Sequence, residues 1–169
     1  MDYHSEKQPR KRLRLTGYSY TDPGYYFVTI CVQNRECLFG NVVGGRMHLN
    51  SAGNMVRQSL ISIGKIYKGW LVDTQVVMPN HIHAIFYLDD LSLTTARISL
   101  SDVIRNVKSY TTVCYLNGIL ESKWESFDQS LWQRSYYEHI IRDNESLDRI
   151  RQYILDNPAN WQKDQNYRS

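Results

Sequence analysis

The sequence predicts an α+β domain in which helices cover an antiparallel sheet. Three observations predict it. Segments dense in β-branched and aromatic residues lie next to tight-turn signals. Between them, apolar residues recur at helical spacing. The elements then run strand, helix, strand, strand, helix, with further helix at the end, an order that fits a ferredoxin-like sandwich with an inserted hairpin and extra C-terminal helices. The helices of that core are expected on one face of the sheet. A chain of 169 residues, 42% hydrophobic and 22% charged, is enough for one globular domain.

Residues 1–22 are polar and basic and contain Pro9, with Pro23-Gly24 just beyond; they read as a tail leading into a turn. Tyr25 to Gln33 (YYFVTICVQ) reads as a central strand. Cys37 to Val43 and Arg46 to Leu49 flank Gly44-Gly45, a two-residue hairpin signal. Asn50 or Ser51 can cap the next helix, where Met55, Leu60, Ile63 and Ile66 mark the apolar face. Trp70 to Met78 and His81 to Leu88 read as antiparallel partners turned by Pro79-Asn80, and Asp89 to Ser99 as a polar connection. Leu100 to Leu116 reads as a helix with Ser101 as N-cap and Gly118 as its stop. Ser135 to Arg142 and Glu145 to Asn157 read as two helices, the second ended by Pro158. The domain is thus expected over residues 23–161, with 162–169 a short polar tail.

Charge and cysteine usage narrow the function class. Twenty Lys and Arg against seventeen Asp and Glu give +3, a weak overall field. The cations are clustered, however: Lys7, Arg10, Lys11, Arg12 and Arg14 near the start, and Arg134, Arg142, Arg149 and Arg151 near the end. Clusters of this kind suit phosphate contact, and equally suit a solvated surface. Cys31, Cys37 and Cys114 form no C-x-x-C pair, so neither a disulfide framework nor a structural zinc site is expected. No apolar run has the length of a membrane span, and no secretory leader is visible. A cytoplasmic, nucleoid-associated protein is expected.

Chemistry is concentrated in two short segments. In VVMPNHIHAIFYL, His81 and His83 stand two apart on a strand, so both imidazoles share one sheet face. Neutral imidazole is a common ligand for divalent metals, and a histidine within an apolar strand needs a partner. In RIRQYILDNP, Tyr153 and Asn157 stand at i and i+4 on one helical face. Asn157 offers a neutral oxygen; a His/His/Asn set leaves a divalent ion charged and open, which suits Mg²⁺ or Mn²⁺. The same two residues also suit a packing tyrosine and a helix stop. Among the other tyrosines, Tyr110, with Arg105 and Lys108 on its helix, is the main rival; Tyr136 and Tyr137 adjoin Arg134.

Taken in order, PNHIH, WQRSYYEHIIR and RQYILDNP resemble the REP-associated tyrosine transposases, relatives of the smallest HUH insertion-sequence transposases. The resemblance runs from about Tyr25 to Trp161. It implies a ferredoxin-like core, His81, His83 and Asn157 as metal ligands, and Tyr153 as nucleophile. It further implies site-specific cleavage and strand transfer on palindromic hairpin DNA through a 5′-phosphotyrosine. The alternatives are a hairpin-binding protein with little cleavage activity, and a metal-dependent hydrolase of small phosphates.

The expected partners are single-stranded or hairpin DNA, with no membrane and no nucleotide cofactor, the chain acting as a monomer or homodimer. Arg12, Arg14, Lys108, Arg134, Arg142, Arg149 and Arg151 are candidate DNA contacts. Trp70, Trp132 and Tyr136 are candidates for stacking on unpaired bases. The whole reading requires the Tyr153 phenol to reach a cation held by the two imidazoles.

Overall fold

The computed structural model describes residues 21–90 and 98–168. Arg12, Arg14 and most of the basic N-terminal segment lie outside the described residues, as does part of the Asp89–Ser99 connection. Strands β1 (Gly24–Cys31), β4 (Trp70–Met78), β5 (His81–Leu88) and β6 (Tyr137–Ile141) form one antiparallel sheet in the order β4-β5-β1-β6. Strands β2 (Gly40–Val43) and β3 (Arg46–Leu49) form the expected separate hairpin. Helices α1 (Ser51–Ile61), a single turn α2 (Ile63–Ile66), α3 (Leu100–Ser122) and α4 (Asn144–Asp156) complete the fold. With β2 and β3 set aside, the order is βαββαβ, the ferredoxin-like pattern, followed by α4.

The alternation of β1 divides the molecule in two. Tyr26, Val28 and Ile30 enter the main core with Ile82, Ala84 and Phe86 of β5, beneath Ala52, Val56 and Leu60 of α1 and Val103, Ile104 and Val107 of α3. Each such aliphatic or aromatic side chain contributes roughly 1.5–3 kcal/mol on burial. Phe27 points the other way and joins Ile85 and Ile141, which Leu147 and Ile154 of α4 cover. Thus α1 and α3 share one face as expected, and the extra C-terminal helix crosses the opposite one.

Several local expectations are corrected. Residues 135–142 form no helix; Tyr137–Ile141 is the edge strand that completes the sheet, with Val28 opposite Glu138 and Tyr26 opposite Ile140. A short strand carrying only two β-branched residues has little periodicity to read. The α3 N-cap is Ser99, not Ser101: Ser99 and Asp102 form a reciprocal capping box. Gly118 does not end α3, which continues to Ser122 and stops at Lys123 in the left-handed conformation. The glycine instead makes room, since a Cβ there would lie 2.2 Å from the Trp124 ring. Asn50 caps α1 by accepting from the Gly53 N–H at 2.8 Å.

Candidate active site

The two-residue Pro79-Asn80 turn sets the phase of β5, so His81 and His83 emerge on the face crossed by α4. Both are fully enclosed, at 0% and 1% exposure. Their Nε2 atoms lie 3.1 Å apart, while each Nδ1 faces away toward a partner of its own. His81 Nδ1 meets Asn80 Oδ1 at 2.9 Å. The Asn80 amide orientation is fixed because its Nδ2 donates to the carbonyls of Arg35 (3.0 Å) and Asn166 (2.8 Å). The oxygen therefore faces His81 and accepts from Nδ1–H, leaving a lone pair on His81 Nε2. His83 Nδ1 lies 2.8 Å from the Thr29 hydroxyl, its neighbour across β1. Burial first, then the neighbouring His83, pushes the His81 pKa down to about 3, so the imidazole is neutral over the ordinary pH range.

Helix α4 delivers the remaining residues. Its N-terminus is capped by Asp143, which accepts from the Ser146 N–H at 2.7 Å. The stripe Leu147, Ile150 and Ile154 seats it on the sheet. Tyr153 lies on the margin of this stripe and is 45% exposed. Its ring meets Phe27 edge-on with centroids 6.1 Å apart, and its hydroxyl stands 3.4 Å from His83 Nε2. Asn157, the C-cap one turn on, is buried, and its Oδ1 has no hydrogen-bond partner. The structure thus brings His81, His83, Tyr153 and Asn157 together within a single chain.

Asp164 also enters the site, although the sequence offers only a polar tail there. After α4 the chain makes a 3-10 turn, Trp161–Lys163, that lays the Trp161 ring over His81 with centroids 5.9 Å apart. Asp164 Oδ2 then lies 4.0 Å from both histidine Nε2 atoms. It accepts from Asn157 Nδ2 at 3.0 Å, while Oδ1 accepts from the Asn166 N–H at 2.6 Å. Burial alone would raise the carboxyl pKa, but the His83 imidazole, the Asn166 N–H and the Asn157 amide hold it well below the usual carboxylate range. Among the described residues, His81, His83 and Asp164 are the one group of three His, Cys, Asp or Glu side chains with ligand atoms converging within 4.8 Å. Two imidazole lone pairs, a carboxylate and an orphaned amide oxygen make a donor set that fits a divalent cation. Two adjacent ligands of an octahedral ion with bonds of about 2.1 Å lie about 3.0 Å apart, close to the histidine spacing.

Beside this centre opens a cleft of about 510 Å³. Phe27, Thr29, Arg35, His83, Tyr136 and Tyr153 are among the residues that line it. Of the expected cations, Arg134, Arg142 and Arg149 are exposed, Arg149 beside Ser146 and Glu145 of its own helix. Arg151 is engaged with Asp73 through two hydrogen bonds of 2.6 and 2.9 Å, and with Asp148 at 3.0 Å. Lys108 turns inward and donates to the carbonyls of Gln133, Arg134 and Ser135, and burial pushes its pKa down to about 8. Trp70 and Trp132 are core residues, their indole N–H groups given to Ile98 O and Thr111 Oγ1, so neither is open to a base. Tyr136 does line the cleft. Tyr110 borders a groove formed with α1 and α2, away from the histidines.

The sequence pattern of the family described as "Transposase IS200 like" matches residues 21–157, most of the chain. The chain belongs to this family. An uncharacterised protein of Haemophilus influenzae is 35% identical, over 98% of this chain and 97% of its own. Among solved structures, a REP-associated tyrosine transposase bound to a REP hairpin superimposes with a TM-score of 0.60 at 21% identity, covering 86% of this chain and 72% of that one. A candidate transposase from Deinococcus radiodurans gives 0.52 at 16% identity, covering 85% and 95%. The ferredoxin-like fold of this IS200-like transposase is therefore shared with both. No helix among its described residues is long and apolar enough to cross a membrane. Asp164 lies beyond the stretch that matches the family.

Proposed function

We propose that this IS200-like transposase is a metal-dependent, site-specific endonuclease and strand transferase for single-stranded DNA that forms palindromic hairpins. In this reading Tyr153 is the nucleophile, and His81, His83 and Asn157 hold Mg²⁺ or Mn²⁺. The observation that carries it is the Tyr153 hydroxyl standing 3.4 Å from His83 Nε2, one of two imidazole nitrogens that lie 3.1 Å apart. A bound divalent ion supplies charge neutralisation and orientation of the scissile phosphate.

The chain's own residues do the rest. Asn80 and Thr29 hold the imidazoles with their Nε2 atoms converging. Phe27 and His83 fix the Tyr153 ring, and the exposed side of the phenol opens on the cleft. Burial, then the Asp164 charge, raise the Tyr153 pKa, with the Asn157 amide opposing them. The phenol therefore acts at neutral pH only when positive charge stands at the histidine pair. Its oxygen attacks phosphorus, the bond from phosphorus to the 3′ oxygen breaks, and the proton lost by the phenol balances the one gained by the new 3′-hydroxyl. The 5′-phosphotyrosine keeps the ester energy, so a 3′-hydroxyl of another strand can reverse the step without ATP. Exposed Arg134, Arg142 and Arg149, with Arg35 at the cleft, are the proposed phosphate contacts, and Tyr136 the proposed stacking surface. The sequence-proposed contacts Arg12 and Arg14 would add to these from the basic N-terminal segment.

Labelled single-stranded hairpin DNA carrying short flanks, offered with Mn²⁺, tests the reading. Wild type should form a covalent protein–DNA adduct stable to SDS, and neither Tyr153→Phe nor His81→Ala should do so. Binding without an adduct in all three would favour a hairpin-binding protein, and cleavage by Tyr153→Phe would remove the tyrosine mechanism.

A further inference from the structure

We infer that Asp164, supplied by the segment that follows α4, is a direct ligand of the cation, so that His81, His83 and Asp164 hold it together with Asn157. The inference rests on the metal reading above and adds a charged ligand to it. Asp164 Oδ2 is equidistant from the two imidazole nitrogens at 4.0 Å, close enough to share one ion with them and too far for a hydrogen bond to either. Its side chain is 3% exposed, on a segment built into the site from three directions. Trp161 lies on His81, the Asn166 carbonyl accepts from Asn80, and the Asn166 side chain accepts from Arg35. The two carboxylate oxygens take one hydrogen bond each from Asn157 and the Asn166 N–H, which fixes Oδ2 toward the histidines. The partnerless Asn157 Oδ1, also buried, is a further oxygen acceptor open to an ion. An anionic ligand raises affinity for a divalent ion and leaves one fewer position for water or phosphate.

The test is Mn²⁺ binding by the full chain without DNA, read as a dissociation constant by titration and as water-proton relaxivity of the bound ion. Asp164→Asn keeps the shape and an acceptor for Asn157 while removing the charge; Asp164→Ala is the second variant. Both are first checked in EDTA for melting like wild type. Each should weaken Mn²⁺ binding about tenfold or more, and in Asp164→Ala the bound ion should also show higher relaxivity because a water replaces the lost oxygen. A wild-type dissociation constant in both variants and wild-type relaxivity in Asp164→Ala, with binding lost in His81→Ala, would overturn this inference alone. No uptake by wild type, or uptake unaffected by His81→Ala, would overturn the metal reading as well.

Discussion

The two faces of strand β1 differ in what they ask of the sequence. Tyr26, Val28 and Ile30 enter a core shared with α1, α3, β4 and β5, where any apolar group of the right volume would serve. Phe27, Thr29 and Cys31, one position out of phase, face the histidines, and there each atom has a separate task. Phe27 stacks on His83 with centroids 5.4 Å apart, Thr29 holds its Nδ1, and Cys31 stands across from His81 in the sheet register. The first face yields stability by area. The second carries buried polar groups whose cost is met only when each finds its partner.

A matched pair of substitutions breaks this comparison most sharply. Tyr153→Phe removes one oxygen on the polar face at a half-exposed position. It should lower adduct formation by about a thousandfold or more, yet move stability by no more than about 0.5 kcal/mol. Gel detection of the adduct and a thermal melt read the two effects. On the apolar face Phe86→Ala, at a fully buried site, should cost about 3–5 kcal/mol by chemical denaturation. The fraction still folded should form adduct at the wild-type rate. If Phe86→Ala silenced the chemistry in folded protein, the faces would not be separable.

The apolar face was also the more legible of the two in the sequence. Strands β1 and β5 announce themselves because central strands need β-branched and aromatic residues on both sides, and β4, although at an edge, because it is long and carries Val72, Thr74, Val76 and Val77. β6 did not, because an edge strand can carry Glu138 and His139 and still pair. In the site, the His81–His83 and Tyr153–Asn157 pairs were legible because local geometry alone places each pair on one face. Thr29 was not, since its meeting with His83 depends on cross-strand register. Asp164 was hidden for a stronger reason. A single acid after a helix stop carries no periodicity, and only the return of the chain past Trp161 and Asn166 brings it to the histidines. Lys108 and Arg151 show the limit of reading charge from sequence: both are cations near the site, and both are engaged by groups of the same chain.

Thr29→Val sharpens the comparison by making one position of the polar face resemble the other. The substitution keeps the shape and removes the hydroxyl next to His83 Nδ1. Losing an imidazole's outer partner should weaken Mn²⁺ binding by about 10–100-fold. The unpartnered buried nitrogen should also cost about 1–3 kcal/mol. Titration with Mn²⁺ and denaturation in EDTA separate the two, and an unchanged dissociation constant would mean that Thr29 does not orient the ligand.

The smallest effect concerns what holds α4 across the polar face. Asp73 is the extra residue of the β4 bulge between Val72 and Thr74, and its carboxylate receives Arg151 through two hydrogen bonds. The Arg151 hydrogen bond is the largest cause holding the Asp73 pKa below its ordinary value. A lowered carboxylate pKa stabilises the fold above the unfolded value near 3.8 and ceases to do so as pH falls through the folded one. Both side chains are partly exposed, so Arg151→Ala should cost only about 0.5–1 kcal/mol at neutral pH, and the difference from wild type should vanish in acid below the folded pKa. If Arg151 instead serves bound DNA, the variant would weaken hairpin binding at neutral pH with stability unchanged. A gel-shift titration beside the pH-dependent melt decides between the latch and the phosphate contact.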